Sequence, residues 1–144
     1  MVTVHESRFA DLDVHTFHAL VKLRCDVFVV EQECAYPELD GRDVEPGTRH
    51  LWITDGDGAE PLAYLRTLAE PGGEVRVGRV VTAPAARGRG LSQQLLKAVL
   101  DRIGDARCVL DAQSHLVGFY ERLGFAVTGP EYVEDGIPHT PMAR

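Results

Sequence analysis

Residues 87–92 read Arg-Gly-Arg-Gly-Leu-Ser, between an apolar strand-like run at 75–81 and a helical pattern that follows. A strand feeding a glycine-rich turn that opens a helix can hold a phosphate, because the turn offers free backbone N–H groups and the helix start adds a positive dipole end. Gly88 and Gly90 let the main chain approach an anion with no side chain in the way, while Arg87 and Arg89 supply charge. With the amides of Leu91 and Ser92, the turn reads as a pyrophosphate cradle. Its glycines are not spaced G-x-G-x-x-G, and no Gly-Lys-Ser/Thr follows, which disfavours a dinucleotide fingerprint and a nucleoside-triphosphate P-loop. A plain loop is the competing reading.

Charge is distributed unevenly around that turn. Arg76, Arg79, Arg87, Arg89, Lys97 and Arg102 stand against the single Asp101 in the stretch they span, although the whole chain carries −7. The basic island coincides with the cradle, where a cofactor carrying a pyrophosphate and a ribose phosphate would need it. The acidic balance elsewhere argues against a nucleic-acid partner. From Glu31 to Gly47 the periodicity dissolves into a loop holding Glu31, Glu33, Glu38, Asp40, Asp43 and Glu45 against Arg42. So long a loop is usually functional or mobile. Its field would attract a cationic amine, with a solvated acidic loop as the alternative.

The elements that must position these residues follow from periodicity. Val2 to Arg8 alternates as an edge strand. Val14, Phe17, Leu20, Val21 and Arg24 recur at three- and four-residue spacing, so a helix is expected there, capped by Asp11 or Asp13 and continuing through Val30. Strands are expected at His50–Thr54 and Pro61–Leu68, joined by the turn 55–60, and a turn at Glu70–Gly73 returns the chain into the strand before the cradle. Leu91, Leu95, Leu96, Val99 and Ile103 form one helix face, with Gly104 as the stop. The run 107–112 is a short buried strand that can pair in parallel by a crossover. Ser114 is expected to cap a short helix that carries Leu116, Phe119, Tyr120 and Leu123 on one face and ends at Gly124, making Tyr120 a core aromatic on this reading. Strands at 126–133 and 138–142 flank Asp135-Gly136.

The outcome is one α/β (α+β) domain over residues 1–144: a mixed central sheet with antiparallel N-terminal strands, a parallel pair, and flanking helices. No apolar run nears the roughly 20 residues of a membrane span and no signal-peptide pattern is present, so a soluble, cytoplasmic protein with no membrane partner is expected. Cys25, Cys34 and Cys108 are odd in number and fall in no metal-ligand spacing, so they read as reduced thiols and no metal is expected.

Two stretches resemble one family. The strand, the proline turn and the run from Arg87 through Gly90 to Ser92 resemble the acetyl-CoA-binding motif of the GNAT N-acetyltransferases, Ser92 standing where the family usually has Gly or Ala. Leu-Val-Gly-Phe-Tyr-Glu-Arg-Leu-Gly-Phe at 116–125 resembles the second GNAT motif, with Tyr120 matching the family tyrosine and Gln113 standing where many members carry Asn. The runs 24–43, 49–51, 112–116 and 134–142 look like the ElaA-like branch of that superfamily, and the arginine-to-aspartate part of the first is also similar to the acyl-homoserine-lactone synthases.

The resemblance implies an acetyl-CoA-dependent transfer to a primary amine of a small molecule or peptide, by direct attack in a ternary complex. It also implies that the strand before the cradle splays from its parallel neighbour, leaving backbone N–H groups near Val80 and Val81 for the pantetheine and the thioester oxygen. Tyr120 would then protonate the departing sulfur and Gln113 would contact the pantetheine region. For the base, Glu31 at the helix end and His50 at the start of a central strand are the candidates, with His115 tying helix to sheet. Another acyl-CoA, a CoA-binding sensor without transfer, and a small partner-binding protein remain alternatives. A homodimer formed by exchange of a terminal strand also stays open.

Overall fold

The computed structural model describes residues 1–56, 58 and 60–144. Eight strands form one sheet: β1 (Val2–Ser7), β2 (Arg49–Asp55), β3 (Ala63–Ala69), β4 (Val75–Thr82), β5 (Cys108–Gln113), β6 (Ala126–Val127), β7 (Tyr132–Glu134) and β8 (Ile137–Ala143). Their order is β1-β2-β3-β4-β5-β8, with β6 and β7 sharing the far side of β8. All pairings are antiparallel except β4–β5, the parallel pair expected from a crossover. The mixed α/β sheet read from the sequence is therefore the observed one. The turn expected between β2 and β3 includes Asp57 and Ala59, which lie outside the described residues.

Two helices cover opposite faces. The first, α1 (Val14–Arg24), starts where Asp13 accepts the Thr16 N–H at 3.2 Å, satisfying one of the donors a helix start leaves open. It runs on through Cys25–Glu31 in wider turns, closed by the Gln32 N–H to the Val27 carbonyl at 2.8 Å. The valines there would suit a strand by propensity, but burial of Val27 with Leu20, Leu23, Tyr64 and Val81 decides for the helix. Helix α2 (Leu91–Ile103) buries Leu91, Leu95, Leu96 and Val99 against Leu51, Ile53, Leu65 and Val77 on the other face.

The helix expected at 114–123 is shorter and begins differently. A 3₁₀ turn at Ser114–Leu116 leads into α3 (Val117–Glu121). Ser114 is not its cap: the hydroxyl pairs with Thr140 Oγ1 at 2.8 Å on β8.

The feature that matters most for the site is in β4. Val77 and Val81 are four residues apart and would share a face in a regular strand, yet Val77 packs under α2 and Val81 under α1. The reversal occurs at a bulge, where the β3 partner register shifts between Tyr64 and Arg66 and Arg79 takes φ = 54°. Pairing of β4 with β5 covers only Val75 with Cys108 and Arg76 with Val109. Beyond Arg76 the two strands part, and the cleft opens there.

Candidate active site

The parting of β4 and β5 opens a cleft of about 930 Å³. One wall carries Val80, Val81, Thr82, Arg87 and Ser92, and the opposite side carries Gln113, Tyr120, Tyr132 and His139. Glu31 lies on its rim from the end of the first helix. Six of the residues singled out from the sequence thus come together with Glu31 around one space: Val80, Val81, Arg87, Ser92, Gln113 and Tyr120.

At the cradle, Gly88 and Gly90 both take positive φ, 83° and 72°, as a turn into a helix start requires. A Cβ built at Gly88 would meet nothing within 4 Å, so the space above the turn is open. Gly90 precedes α2 with no side-chain cap, and the first intrahelical bond there is Gln94 N–H to the Gly90 carbonyl at 3.1 Å. The amides of Leu91, Ser92 and Gln93 therefore sit ahead of the hydrogen-bond ladder and face outward with the helix dipole behind them. Leu91 contributes only its main chain, because its side chain is buried in the core. Ser92 Oγ is hydrogen-bonded to Thr82 Oγ1 at 2.8 Å, tying the helix start to the end of β4.

The basic island does not gather there. Arg89 turns to Asp55 (3.3 Å), Arg102 to Glu6 (2.8 Å), Arg76 to Glu70 and Asp111, and Arg79 to Glu38. Arg87 stays at the cleft, where its two terminal nitrogens each meet a carboxylate oxygen of Glu31 at 2.9 Å. That fork holds the Glu31 carboxyl below its ordinary range. Proximity in the chain did not mean proximity in space, since the strand and helix spread these cations over both faces.

Tyr120 is 5% exposed and packs edge-on between Phe119 and Phe125, at 5.1 and 5.9 Å between ring centroids. Burial pushes its hydroxyl up to about 12, so the phenol stays protonated through the neutral range. Gln113 donates to Gln32 Oε1 at 3.2 Å, linking β5 to the first helix across the cleft.

His50 is placed elsewhere. It is fully buried, with Nδ1 against the Tyr64 hydroxyl at 2.7 Å and Nε2 against the Asp43 carbonyl at 3.0 Å. Burial lowers its pKa, and it does not line the cleft. The expectation of His50 as a base is corrected: β2 points it into the network beneath the bulge, where both ring nitrogens are occupied.

That network also corrects the reading of the acidic loop. Arg24, fully buried, bonds Glu38 (2.7 Å) and Asp43 (2.8 Å). Arg66 joins Asp43 (3.1 Å) to Asp40. Arg79, the bulge residue, bonds Glu38 through Nε at 2.8 Å and lies over the Tyr36 ring at 4.9 Å. Direct bonding to Arg66 depresses the Asp40 carboxyl strongly, and for Asp43 the adjacent Arg24 and Arg66 outweigh the opposing effect of burial. The loop's inner carboxylates neutralise arginines of α1, β3 and β4 rather than projecting a field into solvent. They hold the strained Arg79 backbone, and with it the bulge.

Residues 25–144 match the acetyltransferase (GNAT) domain family. The chain belongs to that family. A UPF0039 protein of Mycobacterium tuberculosis is 50% identical over 137 residues, covering 93% of this chain and 87% of the relative. Among solved structures, an acyl-CoA N-acyltransferase from Pseudomonas aeruginosa matches with a TM-score of 0.91 at 41% identity, covering 100% of this chain and 99% of that one. Escherichia coli ElaA matches with a TM-score of 0.92 at 38% identity over 100% of this chain and 99% of that chain. The protein is a GNAT-type acyltransferase of the ElaA-like kind.

Sequence reasoning missed the part of this GNAT site that lies beneath the bulge. Arg66 offered a signal: it interrupts Ala-Tyr-Leu-Arg-Thr-Leu, a run in which every residue is buried. A charge in such a strand must be paired. Arg24 gave a similar hint on the apolar face of α1, but its partners lie 14 and 19 residues away in an aperiodic loop. Among the described residues there is no cluster of side chains suited to a metal, and no helix is long and apolar enough to cross a membrane.

Proposed function

We propose that this enzyme transfers an acetyl group from acetyl-CoA to a primary amine of a small molecule or peptide, by direct attack within a ternary complex. The observation that carries the reading is the parting of β4 from β5 beside a helix start whose amides are unspent. The diphosphate would lie on the main chain of Gly88, Gly90, Leu91 and Ser92, with Arg87 released from Glu31 to meet it; Arg89 would have to leave Asp55 to take part. The pantetheine would run along Val80 and Val81 toward Gln113, completing the gap as a third strand would.

Donors of the unpaired β4 edge would then lie near the thioester oxygen, where one preorganised donor is worth about 2.7–4 kcal/mol on the transition state. The Tyr120 phenol, kept protonated by burial, would supply the proton for the leaving sulfur. The acceptor enters from the side of Tyr132 and Glu134, where the exposed Glu134 and Asp135 at the rim suit an ammonium group.

Calorimetry tests the cradle. Acetyl-CoA should bind the wild-type protein, and Ser92→Trp should abolish binding while circular dichroism is unchanged. A free-thiol assay over a panel of primary amines and acyl chain lengths tests transfer. Thiol release that peaks with acetyl supports the proposal, and binding without release for every amine would make this a CoA sensor. Tyr120→Phe is expected to lower kcat about 100-fold with little change in the KM for acetyl-CoA.

A further inference from the structure

Of the carboxylates that line the cleft, Glu134 and Asp135 are exposed at the rim, and three others keep a cation of the fold. Glu38 is bonded by Arg24 and Arg79, Asp40 by Arg66, and Asp111 by Arg76 at 2.9 Å; Glu31, forked by Arg87 at the rim, is freed once a diphosphate takes that arginine, and it is the rival base that Glu31→Gln tests. Arg66 holds the Asp40 carboxyl well below its ordinary range, and Glu38 and Asp111 are committed to the ion pairs that brace β4. His139 is different. It lies on β8 directly across from Gln113 of β5, and it lines the same cleft as Gln113 and Tyr120. Directly opposed residues of an antiparallel pair stand about 5 Å apart at Cβ, so imidazole and amide share one stretch of wall.

Two contacts fix the ring. Nδ1 lies 2.8 Å from the Ile137 carbonyl, which can only accept, so Nδ1 carries the hydrogen. The ring also stacks on Tyr132 of β7, with centroids 5.7 Å apart and planes inclined by 20°. With the tautomer set by Ile137, Nε2 keeps its lone pair, and it has no hydrogen-bond partner among the described residues. Its titratable surroundings in the cleft are Tyr132 and Glu134 on β7, Asp135 in the following turn, Asp111 on β5 with Arg76 against it, and His115 before α3. None of them occupies Nε2.

We infer that His139 is the general base of the transfer, taking the proton from the incoming amine through Nε2. The inference rests on the acetyl-transfer reading of the cleft and extends it. Nε2 removes a proton from the acceptor's ammonium, and the freed electron pair forms the N–C bond to the acyl carbon. The C–S bond then breaks with its pair on sulfur, which takes the Tyr120 hydroxyl proton. A second proton shed by the nitrogen restores Tyr120, and His139 returns its own to solvent. The net products are the amide, CoA thiol and one proton.

His139→Asn tests this with little disturbance, because the Asn amide can replace Nδ1–H on the Ile137 carbonyl while removing Nε2. Acetyl-CoA binding by calorimetry should be unchanged, kcat should fall about 100-fold, and the rise of kcat/KM with pH should flatten. Imidazole added to His139→Ala should restore part of the rate, which a packing role would not allow. Glu31→Gln, assayed in parallel, should keep the wild-type shape of the pH profile. If His139→Asn binds acetyl-CoA and transfers with wild-type kcat and pH dependence, or if the profile flattens in Glu31→Gln instead, the assignment is overturned. Loss of acetyl-CoA binding by the wild-type protein would instead remove the reading of the cleft on which it stands.

Discussion

Arg24 with Glu38 and Arg87 with Glu31 are the same chemical pair in two settings. The side chains of the first are 0% and 6% exposed, those of the second 45% and 43%. Beneath the bulge, the ions have left water and are held by further bonds to Asp43 and Arg79, so removing one partner strands the other. At the cleft mouth, water already solvates both members, and the pair adds little to folding. The first arrangement is rigid and shapes β4. The second is loose, and an anion with more oxygens can displace Glu31 from Arg87. Burial, not residue identity, decides which arginine is fixed in the fold and which one can exchange its partner.

The sharpest way to break this contrast is Asp43→Ala. It should cost about 3–5 kcal/mol of unfolding free energy in denaturant titration, since Arg24 and Arg66 both lose a buried partner. If the loss is under about 1 kcal/mol, the network is not what holds the bulge.

Acid separates the regions next. The Asp40 and Asp43 carboxyls are lowered on folding, so their stabilisation is full above the ordinary carboxylate value of about 4 and is lost as pH falls through the depressed folded values. Stability should therefore decline on acidification below pH of about 4, and Asp40→Asn should make that decline shallower.

Arg87→Ala should change unfolding free energy by less than about 1 kcal/mol yet weaken acetyl-CoA binding roughly tenfold in calorimetry. Glu31→Gln, the smallest effect, should tighten acetyl-CoA binding roughly threefold by freeing Arg87 in advance. Weakened binding in Glu31→Gln would mean that the carboxylate helps hold the cofactor rather than competing with it.

Much of the fold was legible because its signals are local. The 3.6-residue spacing of Leu91, Leu95, Leu96 and Val99 gave α2, alternation gave β1, the Asp-Gly pairs after Thr54 marked β2 and β3 as a hairpin, and the strand–helix–strand order of β4, α2 and β5 implied the parallel pair. Of the cleft lining, Arg87, Ser92, Gln113 and Tyr120 were readable because motif spacing carries them. The base was not. Glu31 and His50 had suitable chemistry, but a carboxylate's basicity depends on whether an arginine 56 residues away reaches it, and an imidazole's on which face of β2 it occupies. Ser114 failed as a cap for a similar reason, since Thr140 of β8 claimed its hydroxyl.

The amino-acid order by itself determined where the elements up to β5 form and where the main chain turns open before α2, because propensity, periodicity and glycine's freedom act over a few residues. The strand expected at 126–133 is observed as the separate β6 and β7. Only the tertiary structure decided the bulge at Arg79, the pairing of each cation, and the positions of His50 and His139. Those depend on desolvation and on contacts between residues far apart in the chain, and electrostatics at a few ångströms has no counterpart in sequence distance.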